Sequence, residues 1–351
     1  MSYHVRVADP ATARSDLCAL WTRNLEACRA PQRRLDWFYL ENPAGRGVVH
    51  LLERDGLEAA GPVGCMGIGT RTYLCNGRTV SVALLGDLAV DQKHRALGPA
   101  LLLQRATRTH AQEHFSLSLG YPNAKALPTV LRTGFRELGP MVRFAVPLRF
   151  HTYVRRRMSE PVATAAAVVL DAAIILRLSP AFFASVASFR LENLAAPDAR
   201  FDELWHRARA SFSHVAERSA AFLHWRFLRK PDPGTHRFFA ITRRRTRAVV
   251  AYAVVESEGR TAHLRDLFGD SPKSIAALLD RLLPTLCFEG HVSASFAFLG
   301  APWLIDLLTK RRFTPRDRRT VVMDWGKDAP ATPETLLDRT AWFLTEADED
   351  A

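Results

Sequence analysis

A seven-residue pattern occurs twice, and it constrains the fold more than any other feature of the chain. Trp37-Phe38-Tyr39-Leu40-Glu41-Asn42-Pro43 returns 188 residues later as Trp225-Arg226-Phe227-Leu228-Arg229-Lys230-Pro231, sharing Trp-x-aromatic-Leu-x-x-Pro. A strand-like run follows each copy, at 63–68 and 249–254. Asp87-Leu88 and Asp91 then match Asp266-Leu267 and Asp270, both at an offset of 179. Apolar helical stretches come next, through 100–103 and 276–279. After them Phe115, Leu117, Leu119 and Tyr121 alternate with small residues, as do Val292, Ala294, Phe296 and Phe298. A period of two puts one apolar strand face on a core. Each copy closes on an apolar helical pattern with an aromatic, Gly134-Phe135 and Arg312-Phe313.

Shared features in one order, with slowly drifting offsets, predict one domain used twice. A unit of more than about 100 residues is too long for a solenoid. Each copy reads helix, strands, central strand, helix, strand, helix, strand. That order predicts an α/β fold, mixed and layered, with a central mixed sheet flanked by helices. The 351 residues accommodate two such domains. The expected division is a domain over 1–150, a connector with an apolar helix over 151–190, a second domain over 191–326 and a tail over 327–351. The tail ends in acidic residues and is expected to be frayed or a weak electrostatic partner of a basic body.

Charge adds little. The formal net charge is +12, but 42 of the 48 basic residues are arginine, a bias that codon usage alone can produce. It permits an anionic partner; nucleic acid is not expected. Five cysteines without CxxC or metal spacing, and an N-terminus without an apolar run, point to a reduced, cytoplasmic protein. The apolar stretch over 161–178 contains Asp171 and Arg177 and is too short for a span. With Arg155-Arg156-Arg157 before it, the segment 151–178 is a candidate for peripheral membrane contact. The histidines form no HExxH, there is no Walker loop and no Gly-x-Ser-x-Gly, and no metal is expected.

One loop carries chemistry. A strand ending in Leu88, Ala89 and Val90 runs into Asp91-Gln92-Lys93-His94-Arg95-Ala96-Leu97-Gly98-Pro99-Ala100 and then a helix. A helix start of this kind presents free N–H groups and a positive dipole end to an anion. Arg95 adds charge, Gly98 allows close backbone approach, and Pro99 suits a first turn. Further on come Asn123-x-x-Ala126 and then Gly134-Phe135.

Over about residues 60–145 this arrangement resembles the GNAT acyltransferases. In that family a strand ending in Val, an Arg/Gln-x-x-Gly-x-Gly/Ala loop, an Asn-x-x-Ala and a Gly-Phe occur in this order. The resemblance implies two tandem GNAT-like folds. It implies that Leu88, Ala89, Val90, Arg95, Ala96, Leu97, Gly98, Pro99, Ala100 and Asn123 bind acyl-CoA, acetyl-CoA being the expected co-substrate. It also implies direct attack of an amine on the thioester. Asp87, on the central strand, is the candidate base. The family's usual tyrosine acid, seven residues after the Asn, is Val130 here; Tyr121 is the candidate replacement. The second copy has Asp270-Ser271-Pro272-Lys273-Ser274 in place of the loop and is expected to be degenerate. That architecture is similar to Fem-type and polysaccharide-biosynthesis acyltransferases. The expected activity is acyl transfer to a small-molecule or glycan amine, such as an amino sugar of a cell-envelope polysaccharide. Aminoacyl transfer from charged tRNA and a non-catalytic CoA-binding scaffold are the alternatives. The sequence leaves the oligomeric state open.

Overall fold

The computed structural model describes residues 2–25, 28–56, 61–95, 97–149, 188–231 and 234–350. Ala96 and the segment 151–178, with its basic triplet, lie outside the described residues. The N-terminal half comprises β1 (Tyr3–Ala8), α1 (Arg14–Asn24), α2 (Pro31–Leu35), β2 (Val48–Arg54), β3 (Gly64–Cys75), β4 (Arg78–Val90), α3 (Leu97–His114), β5 (Leu117–Gly120), α4 (Leu127–Arg132) and β6 (Arg136–Pro147). A π-helical turn, Asp36–Leu40, continues α2. The C-terminal half comprises β7 (Phe189–Leu194), α5 (Ala199–Ala208), β8 (His214–Ala216), α6 (Ala220–Leu228), β9 (His236–Arg243), β10 (Val249–Glu258), β11 (Thr261–Gly269), α7 (Pro272–Phe288), β12 (Ser293–Gly300), α8 (Pro302–Lys310) and β13 (Thr314–Trp325). A tail adds α9 (Pro333–Leu337) and β14 (Trp342–Thr345).

The strands form one continuous sheet in the order β1-β2-β3-β4-β5-β13-β6-β12-β11-β10-β9-β7. Its middle is an exchange. Strand β13 of the C-terminal half pairs antiparallel with β5, Val322 opposite Gly120. Strand β6 of the N-terminal half pairs antiparallel with β12, Phe144 opposite Phe296. The exchanged strands also pair with each other. Each half thus completes the other's sheet, and neither closing strand is left as an open edge.

The repeated tryptophans meet across this junction. Trp37 and Trp225 stack with centroids 4.9 Å apart. Each indole Nε1 donates to the other's backbone carbonyl, at 2.8 and 2.7 Å. Both rings are buried, and each buried N–H has its acceptor, as an interior indole requires. One apolar core runs through both halves, from Leu17 and Trp21 to Leu283 and Phe343.

Of the two expectations for the tail, the frayed end does not hold; its acidic end is an electrostatic partner of the body, and a buried one. Strand β14 pairs with β12 and, in parallel, with β8, which pairs in turn with β3. Trp342, Phe343 and Leu344 are buried, and so are Asp348 and Glu349. The acidic end is tolerated inside because cations meet it. The Asp348 carboxylate accepts from Arg218 at 2.6 and 2.9 Å and from Arg71 at 3.2 Å. Burial opposes its charge, but Arg218 and Arg71 prevail and hold the carboxyl below its ordinary value. Such a group is tolerated only with partners of this kind.

Candidate active site

The site starts where two parallel strands part. Residues 82–85 of β4 pair with 117–120 of β5. Beyond Leu85, β4 runs on to Val90 while β5 stops at Gly120. A bulge marks the parting: Gly67 faces Gly86, Cys65 faces Ala89, and Asp87 takes a positive φ of 53°. A non-glycine residue held in this region is strained and is over-determined by its surroundings. The outer edge of residues 86–90 is left without a strand partner among the described residues. A cavity of about 660 Å³ opens there, lined by Gly86, Asp87, Leu88, Asn123, Ala126 and Val130.

The loop after Val90 forms a 3₁₀ turn, Gln92–His94, before α3. Arg95 is not a loose cation: its Nε donates to the Val90 carbonyl at 2.8 Å and its Nη2 to Asn24 Oδ1 at 3.0 Å. It braces the loop while keeping its charge at the surface. Asp91 is drawn aside by Arg23 at 3.1 Å and Asn24 at 2.7 Å. Leu97, Gly98 and Pro99 form the first turn of α3, followed by Ala100. Gly98 is exposed, and a Cβ placed on it would meet nothing within 4 Å. Asn123 Oδ1 accepts from the backbone N–H of Lys125 and Ala126, both at 3.0 Å, so it turns the chain into α4 as well as lining the cavity.

Asp87 and Tyr121, the two residues singled out for catalysis, both line the cavity. The Asp87 carboxylate accepts from the Tyr39 hydroxyl at 2.6 Å and from Arg34 Nε at 3.2 Å. Burial pushes the Tyr39 hydroxyl well above its ordinary value, and the Asp87 charge adds to it. The Tyr121 hydroxyl is buried with no hydrogen-bond partner among the described residues. Burial and the nearby Tyr73, Asp348 and Glu349 raise its pKa well above 10, so it stays a protonated donor.

Sequence reasoning missed Asp350. Its side chain lines the cavity beside the central strand: a Cβ on Gly86 would stand 2.9 Å from Asp350 Oδ2. Burial raises its carboxyl above the usual range; Arg34 pulls it down and Asp87 pushes it up. The one available signal was the apolar run Trp342-Phe343-Leu344 just before the acidic end, which makes a docked tail out of an expected frayed one.

The aspartate that matches Asp87 in the repeat sits differently. Asp266 is fully buried and saturated. It accepts from Tyr252 at 2.7 Å and Thr345 at 2.8 Å and pairs with Arg218 Nε at 3.0 Å. Each aspartate thus binds a tyrosine hydroxyl, but only Asp87 borders a cavity.

No family model matches the sequence, and no curated protein does. Solved structures do match. A GCN5-related N-acetyltransferase of Anabaena variabilis superposes with a TM-score of 0.64 at 14% identity, covering 91% of this chain and 72% of its own. One from Kribbella flavida gives 0.58 at 15% identity, covering 93% and 72%. The N-myristoyltransferase of Saccharomyces cerevisiae, solved with bound myristoyl-CoA, gives 0.54 at 12%, covering 97% and 84%. At these identities the likeness is one of fold. The mixed sheet with its flanking helices is that of a GCN5-related N-acetyltransferase fold.

Proposed function

We propose that this chain is an acyl-CoA-dependent N-acyltransferase: one domain used twice, with the acyl-CoA held by the N-terminal half. The observation that carries this reading is the unpartnered edge of β4 over 86–90, which opens onto a cavity holding the Asp350 carboxylate. The backbone groups on this edge suit an amide-bearing pantetheine arm, apart from the Val90 carbonyl, which already accepts from Arg95, and the start of α3 at Gly98 suits its phosphates.

In this reading an amine enters the cavity and attacks the thioester carbonyl. The N–C bond forms, the C–S bond breaks, and the nitrogen gives a proton to the Asp350 carboxylate. The departing thiolate takes a proton from Tyr121 or from water. A base with a raised pKa is the better acceptor of that proton near neutrality. Asp87 has a positioning role: it fixes Arg34 and Tyr39, and its charge raises the proton affinity of Asp350. Acetyl-CoA is the donor we infer, an amino sugar for a cell-envelope polysaccharide the acceptor, and the cytoplasm the compartment; five unpaired cysteines support the last.

The test is direct. Acetyl-CoA should raise the melting temperature, as any ligand of the folded state does. Thiol should then be released on adding a primary amine. The absence of both protection and thiol release at saturating acetyl-CoA would overturn the reading.

A further inference from the structure

The charges on the cavity wall do not cancel, and the remainder has a direction. Three carboxylates line it: Asp87, Glu256 and Asp350. Asp87 is bound by Arg34 at 3.2 Å, and Glu256 by Arg265 at 2.6 Å. Asp350 has no such ion pair among the described residues. On the cationic side, Lys230 and the exposed Arg29 also line the wall. Neither makes a hydrogen bond or an ion pair to any described residue. Among the described residues the cavity therefore offers a carboxylate with no ion pair beside the central strand, and on the wall built by the other half an ammonium with no ion pair, Glu256 being its nearest source of opposite charge.

The repeat sharpens the case for Lys230. Its counterpart 188 residues earlier is Asn42. Asn42 is buried and bracing: its Nδ2 donates to the Thr70 carbonyl at 2.8 Å and its Oδ1 accepts from Ala44 N at 3.0 Å. Lys230 does no such bracing and borders the cavity instead. Burial lowers its pKa to about 8, and Arg226 adds to the effect, while Glu256 offsets part of it. An ammonium held in this way gains from any anion that enters.

We propose that the acceptor is a primary amine that also carries an anionic group, carboxylate or phosphate, which seats on Lys230 while the amine faces Asp350. This rests on the transferase reading and names the acceptor's chemistry within it. Asp350 takes the proton from nitrogen; Lys230 only binds.

Matched amines test it: glycinamide against glycine, ethanolamine against phosphoethanolamine, and glucosamine against glucosamine 6-phosphate, read as thiol release from acetyl-CoA. The anionic member of at least one pair should have the higher kcat/KM by about 10- to 100-fold, the range of a hydrogen bond to a charged group. The effect should lie in KM. Lys230→Met should abolish the preference, and Lys230→Arg, which keeps the charge, should retain it. A preference confined to glycine assigns a carboxylate; one confined to the two phosphates assigns a phosphate. Equal use within every pair by the wild type overturns the anion subsite and leaves the transferase reading standing. A preference that survives Lys230→Met also overturns it. No thiol release with any of these amines, together with no protection by acetyl-CoA, overturns both.

Discussion

At the start of α3, Gly98 faces open space and Asp91 is pulled away by Arg23 and Asn24. At the start of α7 the corresponding place is filled from within. Ser271 Oγ accepts from the Ser274 N–H at 3.2 Å, and Asp270 accepts from the Ser274 hydroxyl at 2.6 Å. The protein's own carboxylate and hydroxyls stand where an external anion would. The strand gap differs in the same way. Strands β11 and β12 also part, after Leu264 and Phe296. There β14 lies along β12, with Thr345 bonded to Asp266. One half keeps its cleft open; the other has its cleft occupied by the tail. A GNAT-like fold leaves a gap and a helix start unsatisfied, and the polar groups exposed there need either a ligand or a substitute. The tail that fills one gap carries Asp350 to the other.

The largest expected effect bears on that last link. Asp350→Asn keeps the shape and removes the base, so kcat should fall by ~10²–10⁴-fold. Acetyl-CoA should still protect the variant from melting. A kcat within a few-fold of wild type would free Asp350 of its role.

The two aspartates of the repeat separate next. Asp266→Ala leaves the fully buried Arg218 with Asp348 alone, and breaking a buried pair of this kind costs about 3–5 kcal/mol. Asp87→Ala, at a cavity wall, should cost less stability and more kcat. Urea unfolding and steady-state rates on the two variants compare them; the reverse order would contradict the division of roles.

Gly300 tests the occupied cleft. Its φ is +153°, and a Cβ there would stand 2.0 Å from the Trp342 carbonyl oxygen. Gly300→Ala should cost about 1–3 kcal/mol of stability. It should also lower kcat, because β14 holds the segment that carries Asp350. Lost stability with unchanged kcat would show the two to be independent.

The last effect is one of pH, read as a slope and not as a loss of activity. Burial pushes Glu349 up to about 7 from an ordinary 4.5, and Arg319 offsets only part of that. The folded state favours its neutral form. This contribution is complete below about pH 4.5 and is lost as pH rises to about 7. The melting temperature should fall across that window, and Glu349→Gln should flatten the fall.

The repeat, the α/β order and the loop into α3 were legible because each is a local pattern with a fixed spacing. The strand exchange was not. Both β6 and β13 can pair with the strand preceding them in their own half, and no local residue pattern selects the partner. For the tail, pairing with a basic body was among the expectations, but its burial and its particular partners were not legible. Asp348 meets Arg218 and Arg71, which lie 130 and 277 residues away in the chain. Arg95 was placed correctly in the loop, but its bonds to Val90 and Asn24 depend on α1 packing against that loop.

The stoichiometry of acetyl-CoA binding, measured by titration calorimetry, tests the central claim most directly. One molecule should bind per chain, and Gly98→Val, which puts a side chain into the open space at the start of α3, should abolish it while changing stability by no more than about 0.5 kcal/mol. Two molecules per chain, or one that survives Gly98→Val, would contradict the assignment of an open cleft to the N-terminal half and an occupied one to the C-terminal half.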